Sequence, residues 1–215
     1  MDKQTSDAAT IHNRRILIGV TGASGSVYAE RLIEALLAAG VGRIYIVATD
    51  SGQQVVRHEL PPSRTDGISL PRILSGEMTE TERSVIRVFK NDDLFAPVAS
   101  GSSAPTDMIV VPCSMGTLGR IANGISGCLL ERAADVMLKQ KRRLVLVPRE
   151  TPLHAIHLQN LLTLAQMGTA IVPPSPGFYQ KPKTIDDMVD FVTGRILEVL
   201  DIPHELYQKW NPRMM

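Results

Sequence analysis

Gly19, Gly22 and Gly25 stand three residues apart, directly after an apolar run that begins at Arg14. Glycines between a strand and a helix let the backbone turn tightly and approach a ligand, and the helix N-terminus behind them favours an anion. The same spacing also serves a tight turn with no ligand. A dinucleotide fold would show a similar fingerprint, with Asp50 at the next strand's end as the acidic ribose partner. Ser114-Met115-Gly116-Thr117 forms a second such turn, whose two hydroxyls and free N–H groups could hold one phosphate without a metal. Ordinary N-capping accounts for Ser114 equally well. Arg149-Glu150 couples a planar phosphate-gripping cation to a proton acceptor; a structural ion pair is the alternative. Pro173 to Tyr179 is stiffened by prolines and suits either the presentation of a phenol or a rigid connection.

Other polar groups read more simply. Arg132 with Asp135, and Asp135 with Lys139, have helical pair spacing, so a solvated salt-bridged face is the default. His154 and His157 lack a third partner, and no metal site is expected. Tyr179 and Lys183 have a dehydrogenase-like spacing that Pro182 interrupts. Cys113 and Cys128 form neither a CxxC pair nor a zinc spacing and fit a reducing compartment.

The elements that must position these groups alternate. Strands are expected at Arg14–Thr21, Val41–Thr49, Val85–Phe89, Met108–Pro112, Arg143–Val147 and Thr169–Val172. Helices are expected at Val27–Ala39, Ser51–Glu59, Gly76–Ser84, Met115–Asn123, Leu129–Lys141 and Leu153–Met167, with a last one capped by Thr184. Such alternation implies an α/β fold: a three-layer, Rossmann-like (flavodoxin-like) single domain with a mostly parallel sheet. Ligands bind beyond the carboxyl ends of such strands, which selects Gly22–Gly25, Thr49–Ser51, Cys113–Thr117, Arg149–Glu150 and Pro173–Tyr179.

A length of 215 residues, 44% of them apolar, suits one domain. A leader is expected over 1–13, disordered, then the domain over 14–203 and a tail over 204–215 that contains Trp210. The net charge of +1, from 23 basic and 22 acidic residues, gives no electrostatic reason to expect nucleic acid or an anionic membrane. No apolar run approaches the roughly 20 residues of a membrane span, and no signal peptide is evident. A cytoplasmic protein is expected.

In order along the chain, Thr21-Gly22-Ala23-Ser24-Gly25, Ala99-Ser100-Gly101-Ser102, Pro112 to Thr117, Glu131 to Val136, Arg149 to Leu153 and Pro176 to Tyr179 resemble the UbiX flavin prenyltransferase family. The resemblance runs from Arg15 to about Pro203, apart from Leu60–Phe89. It implies FMN as cofactor and dimethylallyl monophosphate as substrate, without a metal. Gly22, Ala23 and Ser24 would contact the flavin, with Ser24 near N5, and Thr49 would stand where a serine is common. Ser114, Met115, Gly116 and Thr117 would hold the FMN phosphate together with Arg149. Lys139, Tyr179 and Arg195 would grip the isoprenyl phosphate, with Glu59 and Glu150 as acid/base partners. The implied reaction joins the dimethylallyl group to N5 and C6 of reduced FMN, for use by a UbiD-type decarboxylase. A homo-oligomer, typically a dodecamer, with sites shared between subunits is also implied. Two other readings are a flavin-dependent cysteine decarboxylase of the same fold, although no histidine lies in the candidate loops, and a non-catalytic NAD(P)- or flavin-binding module.

Overall fold

The computed structural model describes residues 10–62 and 67–208. The expected leader up to residue 9 and Trp210 lie outside the described residues. Six strands form one sheet: β1 (Arg15–Val20), β2 (Arg43–Ala48), β3 (Ile86–Lys90), β4 (Asp107–Cys113), β5 (Arg143–Pro148) and β6 (Ala170–Ile171). Their order is β3-β2-β1-β4-β5-β6 and every neighbouring pair is parallel, the doubly wound Rossmann order.

The helices are α1 (Ser26–Ala38), α2 (Asp50–Glu59), α3 (Leu70–Leu74), α4 (Glu80–Val85), α5 (Met115–Ala122), α6 (Leu129–Lys139), α7 (Ala155–Gln166) and α8 (Ile185–Val199). They cover both faces of the sheet because strand side chains alternate. Ile16, Ile18 and Val20 of β1 join α1, α2, α3 and α8 in one apolar cluster. Leu17 points the other way, into a cluster with α5, α6 and Leu164 of α7. Gly19 belongs to this packing and not to a ligand loop: a Cβ there would fall 3.0 Å from Leu130 Cδ1. Its place in the glycine spacing is explained by a helix lying close against β1.

Most expected elements are present, with differences at their ends. Helix α6 stops at Lys139 because Lys141 takes a positive φ of 51°. Helix α7 starts after His154, whose Nδ1 accepts the His157 N–H. Helix α3 went unpredicted because five residues are too few to show a helical period. Thr184 caps α8 as expected, within a capping box completed by Asp187. The folded unit is wider than 14–203: Thr10–His12 are helical, and Ile11, Leu206 and Tyr207 pack against the core.

The tail is received by α8 at Gly194. A Cβ there would overlap the Tyr207 ring and lie 2.6 Å from His204 Cε1. Gly194→Ala is therefore expected to destabilise the fold by about 1–3 kcal/mol through overpacking, read as a lowered urea midpoint. An unchanged midpoint would show that the tail moves aside without cost.

Candidate functional site

The order of the sheet reverses between β1 and β4, and in such folds a crevice opens there beyond the strand ends. Thr21, 1% exposed, joins its two sides. Its Oγ1 donates to the Pro112 carbonyl at 2.7 Å and accepts the Ser114 N–H at 2.8 Å. On the far side of β4, the Arg149 N–H donates to the Cys113 carbonyl at 3.2 Å. The loops carrying Gly22–Ser24, Ser114–Thr117 and Arg149–Glu150 thus share one edge.

Gly22 must be glycine because a Cβ would fall 2.6 Å from Ser51 Oγ. Ser51 in turn hydrogen-bonds Thr49 Oγ1 at 3.1 Å, and Thr49 caps α2 by accepting the Gly52 N–H at 3.0 Å. Ala23 is buried and Ser24 exposed.

Glu59, ending α2, turns its carboxylate onto the start of α1. It accepts the Gly25 N–H at 3.0 Å and the Ser26 N–H at 2.8 Å. Burial alone would raise its pKa, but hydrogen bonds from the Ser24 hydroxyl and the two backbone N–H groups hold it below its ordinary value. The glycine turn therefore already carries an anion. Helix α5 is different, with no acidic residue in its first turn. Ser114 Oγ accepts the Thr117 N–H at 3.3 Å and donates to Thr117 Oγ1 at 3.1 Å. The Met115 and Gly116 N–H groups keep no side-chain acceptor among the described residues. Beside them, Arg149 Nε is buried with no partner among the described residues. The buried Cys113 thiol, below this turn, is pushed up to about 12 by desolvation, against the opposing charge of Arg120, and is inert.

Glu150 is exposed and accepts the Thr151 N–H at 3.1 Å. Tyr179 meets Phe191 edge-on, ring centroids 5.8 Å apart. Phe191 lies one turn before Arg195, and both line a cavity of ≈330 Å³ with Val172, Pro173 and Ser175. Arg195 is ion-paired with Glu198. The nearby Tyr207 phenol and then the Glu198 carboxylate, against the effect of burial, keep its guanidinium above the ordinary value.

Lys139 does not join the others within one chain. It ends α6 four residues before β5 begins, and β5, six residues long, spans about 20 Å. The lysine is exposed at the opposite edge of the sheet. The expected Arg132–Asp135 ion pair is present at 3.0 Å. His154 and His157 stack with ring centroids 3.4 Å apart, and no group of three metal-ligating side chains occurs among the described residues. A larger cavity of ≈470 Å³ lies between the ends of β2 and β3; Asp50 lines it, but none of the residues that the resemblance assigns to flavin or substrate does. Sequence reading included Thr21 in the resembling motif and Ser51 in a loop at a strand's end, but gave neither a role of its own. A threonine closing an apolar strand just before a glycine turn was the available signal for the first.

Because the Glu59 pKa is depressed, its contribution to stability is present above the ordinary value of 4.5 and is lost as pH falls through the folded value. Glu59→Gln is expected to cost about 1 kcal/mol at pH 7. Urea unfolding should show the gap between the two proteins closing below pH ~4.5; a gap independent of pH would contradict the assignment.

The Flavoprotein family profile matches residues 4–197. A flavin prenyltransferase UbiX of Halalkalibacterium halodurans is 48% identical over 202 residues, covering 94% of this chain and 96% of its own. The crystal structure of AnUbiX (PadA1) in complex with FMN and dimethylallyl pyrophosphate superposes with a TM-score of 0.80 at 38% identity, covering 92% of this chain and 97% of its own. A dodecameric FMN-dependent UbiX-like decarboxylase from Escherichia coli O157:H7 gives 0.81 at 36% identity, covering 92% and 99%. The FMN-dependent cysteine decarboxylase TvaF shares the fold alone, with a TM-score of 0.54 at 20% identity over 74% of this chain and 89% of its own.

Proposed function

The chain belongs to the flavin prenyltransferase family, and from that premise we propose that it joins a dimethylallyl group from dimethylallyl monophosphate to N5 and C6 of reduced FMN. The observation that carries this reading is the division of labour between two helix N-termini. Glu59 occupies the one behind the glycine turn, where a dinucleotide would seat its pyrophosphate. The α5 turn keeps open N–H groups, with the unpartnered Arg149 Nε alongside. That arrangement suits a mononucleotide with one terminal phosphate. Gly22, with no room for a side chain beside Ser51, lets backbone approach a planar ring.

Reduced FMN, when bound, supplies the nucleophilic N5 and then C6. The protein's residues act around it. Ser114, Met115, Gly116, Thr117 and Arg149 hold the phosphate; Gly22, Ala23, Ser24 and Thr49 set the ring. Lys139, Tyr179 and Arg195 grip the substrate phosphate, and the cations stabilise it as it leaves. Glu150, or the phosphate once released, would take up the proton that the acceptor loses, and Glu59 fixes Ser24 through their hydrogen bond.

Lys139 reaches this site only from a neighbouring copy, since its own chain holds it at the far edge. The surface supports such assembly: of α7's residues only Leu164 is buried, and Leu153, Ile156, Leu158, Leu162 and Met167 are exposed on or beside it. A patch of this kind marks an interface, and we take the assembly to be a dodecamer. No helix of the described residues is long and apolar enough to cross a membrane; a cytoplasmic enzyme handing prenylated FMN to a UbiD-type decarboxylase completes the proposal.

The test is mass spectrometry of flavin extracted after anaerobic incubation of the protein with reduced FMN and dimethylallyl monophosphate. A flavin heavier by one isoprenyl unit is expected, and unmodified FMN from folded, flavin-loaded protein would refute the reading. Glu150→Gln should slow product formation about 10²–10⁴-fold. Lys139→Ala and Arg149→Ala chains, each impaired alone, should recover activity when co-assembled, because a shared site then regains both groups. No recovery from co-assembled chains would contradict a site shared between copies, and a fully active Lys139→Ala protein would place Lys139 outside the site.

A further inference from the structure

Over the first turn of α5 stands a cation that the site residues named so far do not include. Arg120 lies three residues after Thr117, and helical side chains lean toward the N-terminus over the preceding turn. Its Nη2 donates to Thr117 Oγ1 at 3.4 Å. Its Nη1 stands 3.6 Å from the point where a Gly116 Cβ would be. Its Nε is held by Glu131, a carboxylate 4% exposed whose second oxygen accepts the Gly127 N–H at 2.9 Å. The guanidinium is thus fixed from behind by α6 and from below by Thr117.

What it presents outward matters more. The Arg120 side chain is 47% exposed, whereas Thr117 is 2% exposed and its hydroxyl already accepts from Ser114. An anion arriving at this turn meets the guanidinium before it meets the threonine. Of the five N–H donors of an arginine, Glu131 and Thr117 take two, which leaves three in a planar fork suited to phosphate. A solvated surface pair would leave its arginine free to swing. This one is tied to a buried carboxylate and lies over a turn where a glycine leaves it space.

We propose that Arg120 is a further phosphate-binding residue of the flavin site, positioned by Glu131. The proposal rests on the reading that FMN places its phosphate at the α5 turn. A phosphate there is held by helix N–H groups and by Arg120, with Arg149 following the strand residue that pairs with Cys113. Glu131 acts through Arg120 and does not touch the ligand.

The test compares two flavins that differ by the phosphate alone. Full-length protein freed of flavin is titrated with FMN and with riboflavin, following flavin fluorescence. Arg120→Gln, which can still hydrogen-bond Glu131, is expected to weaken FMN about 10- to 100-fold and to leave riboflavin within about twofold. Arg120→Lys should keep much of the FMN affinity by charge, and Glu131→Gln should weaken FMN but not riboflavin by a smaller factor. Equal losses for both flavins would make Arg120 a staple between α5 and α6, and no loss for FMN would remove it from the site; either overturns the proposal. Binding is read without turnover, so a wild-type protein that yields no prenylated flavin would overturn the proposed function while leaving a selective FMN defect in Arg120→Gln as support for this residue.

Discussion

One hydroxyl group bridges the place where the sheet stops and the site begins. β1 and β4 pair as far as Gly19 and Val110, and beyond them the chain departs in opposite directions, as the reversal of strand order requires. Across that gap the Thr21 N–H still donates to the Pro112 carbonyl at 3.3 Å, and the Thr21 hydroxyl reinforces the link by donating to the same carbonyl and accepting the Ser114 N–H. Both loops inherit their relative position from this contact, which is buried and therefore strong for its size.

Helix dipoles then sort the anions. Every crossover in a parallel sheet delivers a helix N-terminus to the same edge, so this edge has several places where a negative group would be favourable. Glu59 occupies α1 with an internal carboxylate, and Thr49 caps α2 beside the acidic Asp50. The α5 turn has only the neutral Ser114, with the Arg120 guanidinium on Thr117. In the proposed reading, the protein would select the position of a ligand's phosphate by occupying the alternatives with its own side chains.

With the roles proposed for its residues, one chain alone would not complete the chemistry. Tyr179 and Arg195 share one patch through Phe191, yet Lys139 sits a strand's length from the flavin loops. Because α6 leads into β5 through only three residues, its C-terminus lies at the beginning of that strand, and no local movement can reverse that. The proposed assembly of copies through the apolar exterior of α7 would reconcile the groups.

How much of this was legible in the chain follows from the range over which each signal acts. Strand and helix alternation, the Thr184 cap, and the loops at residues 22–25, 114–117 and 149–150 depend on local periodicity and turn chemistry, so the sequence by itself determined them and, with them, the α/β class and the edge where the site lies. The short α3 and the true end of α6 escaped because five residues carry no period and because the left-handed Lys141 has no sequence mark. Gly19 was misplaced among ligand glycines because its partner, Leu130, is 111 positions away. Tertiary structure alone decided that Glu59 occupies the α1 terminus, that Arg120 leans on Glu131, and that Lys139 ends α6 a strand's length from the loops at residues 114–117 and 149–150. Each of these is a contact or a separation between segments distant in sequence, set by which helix crosses which strand, and no spacing along the chain encodes it.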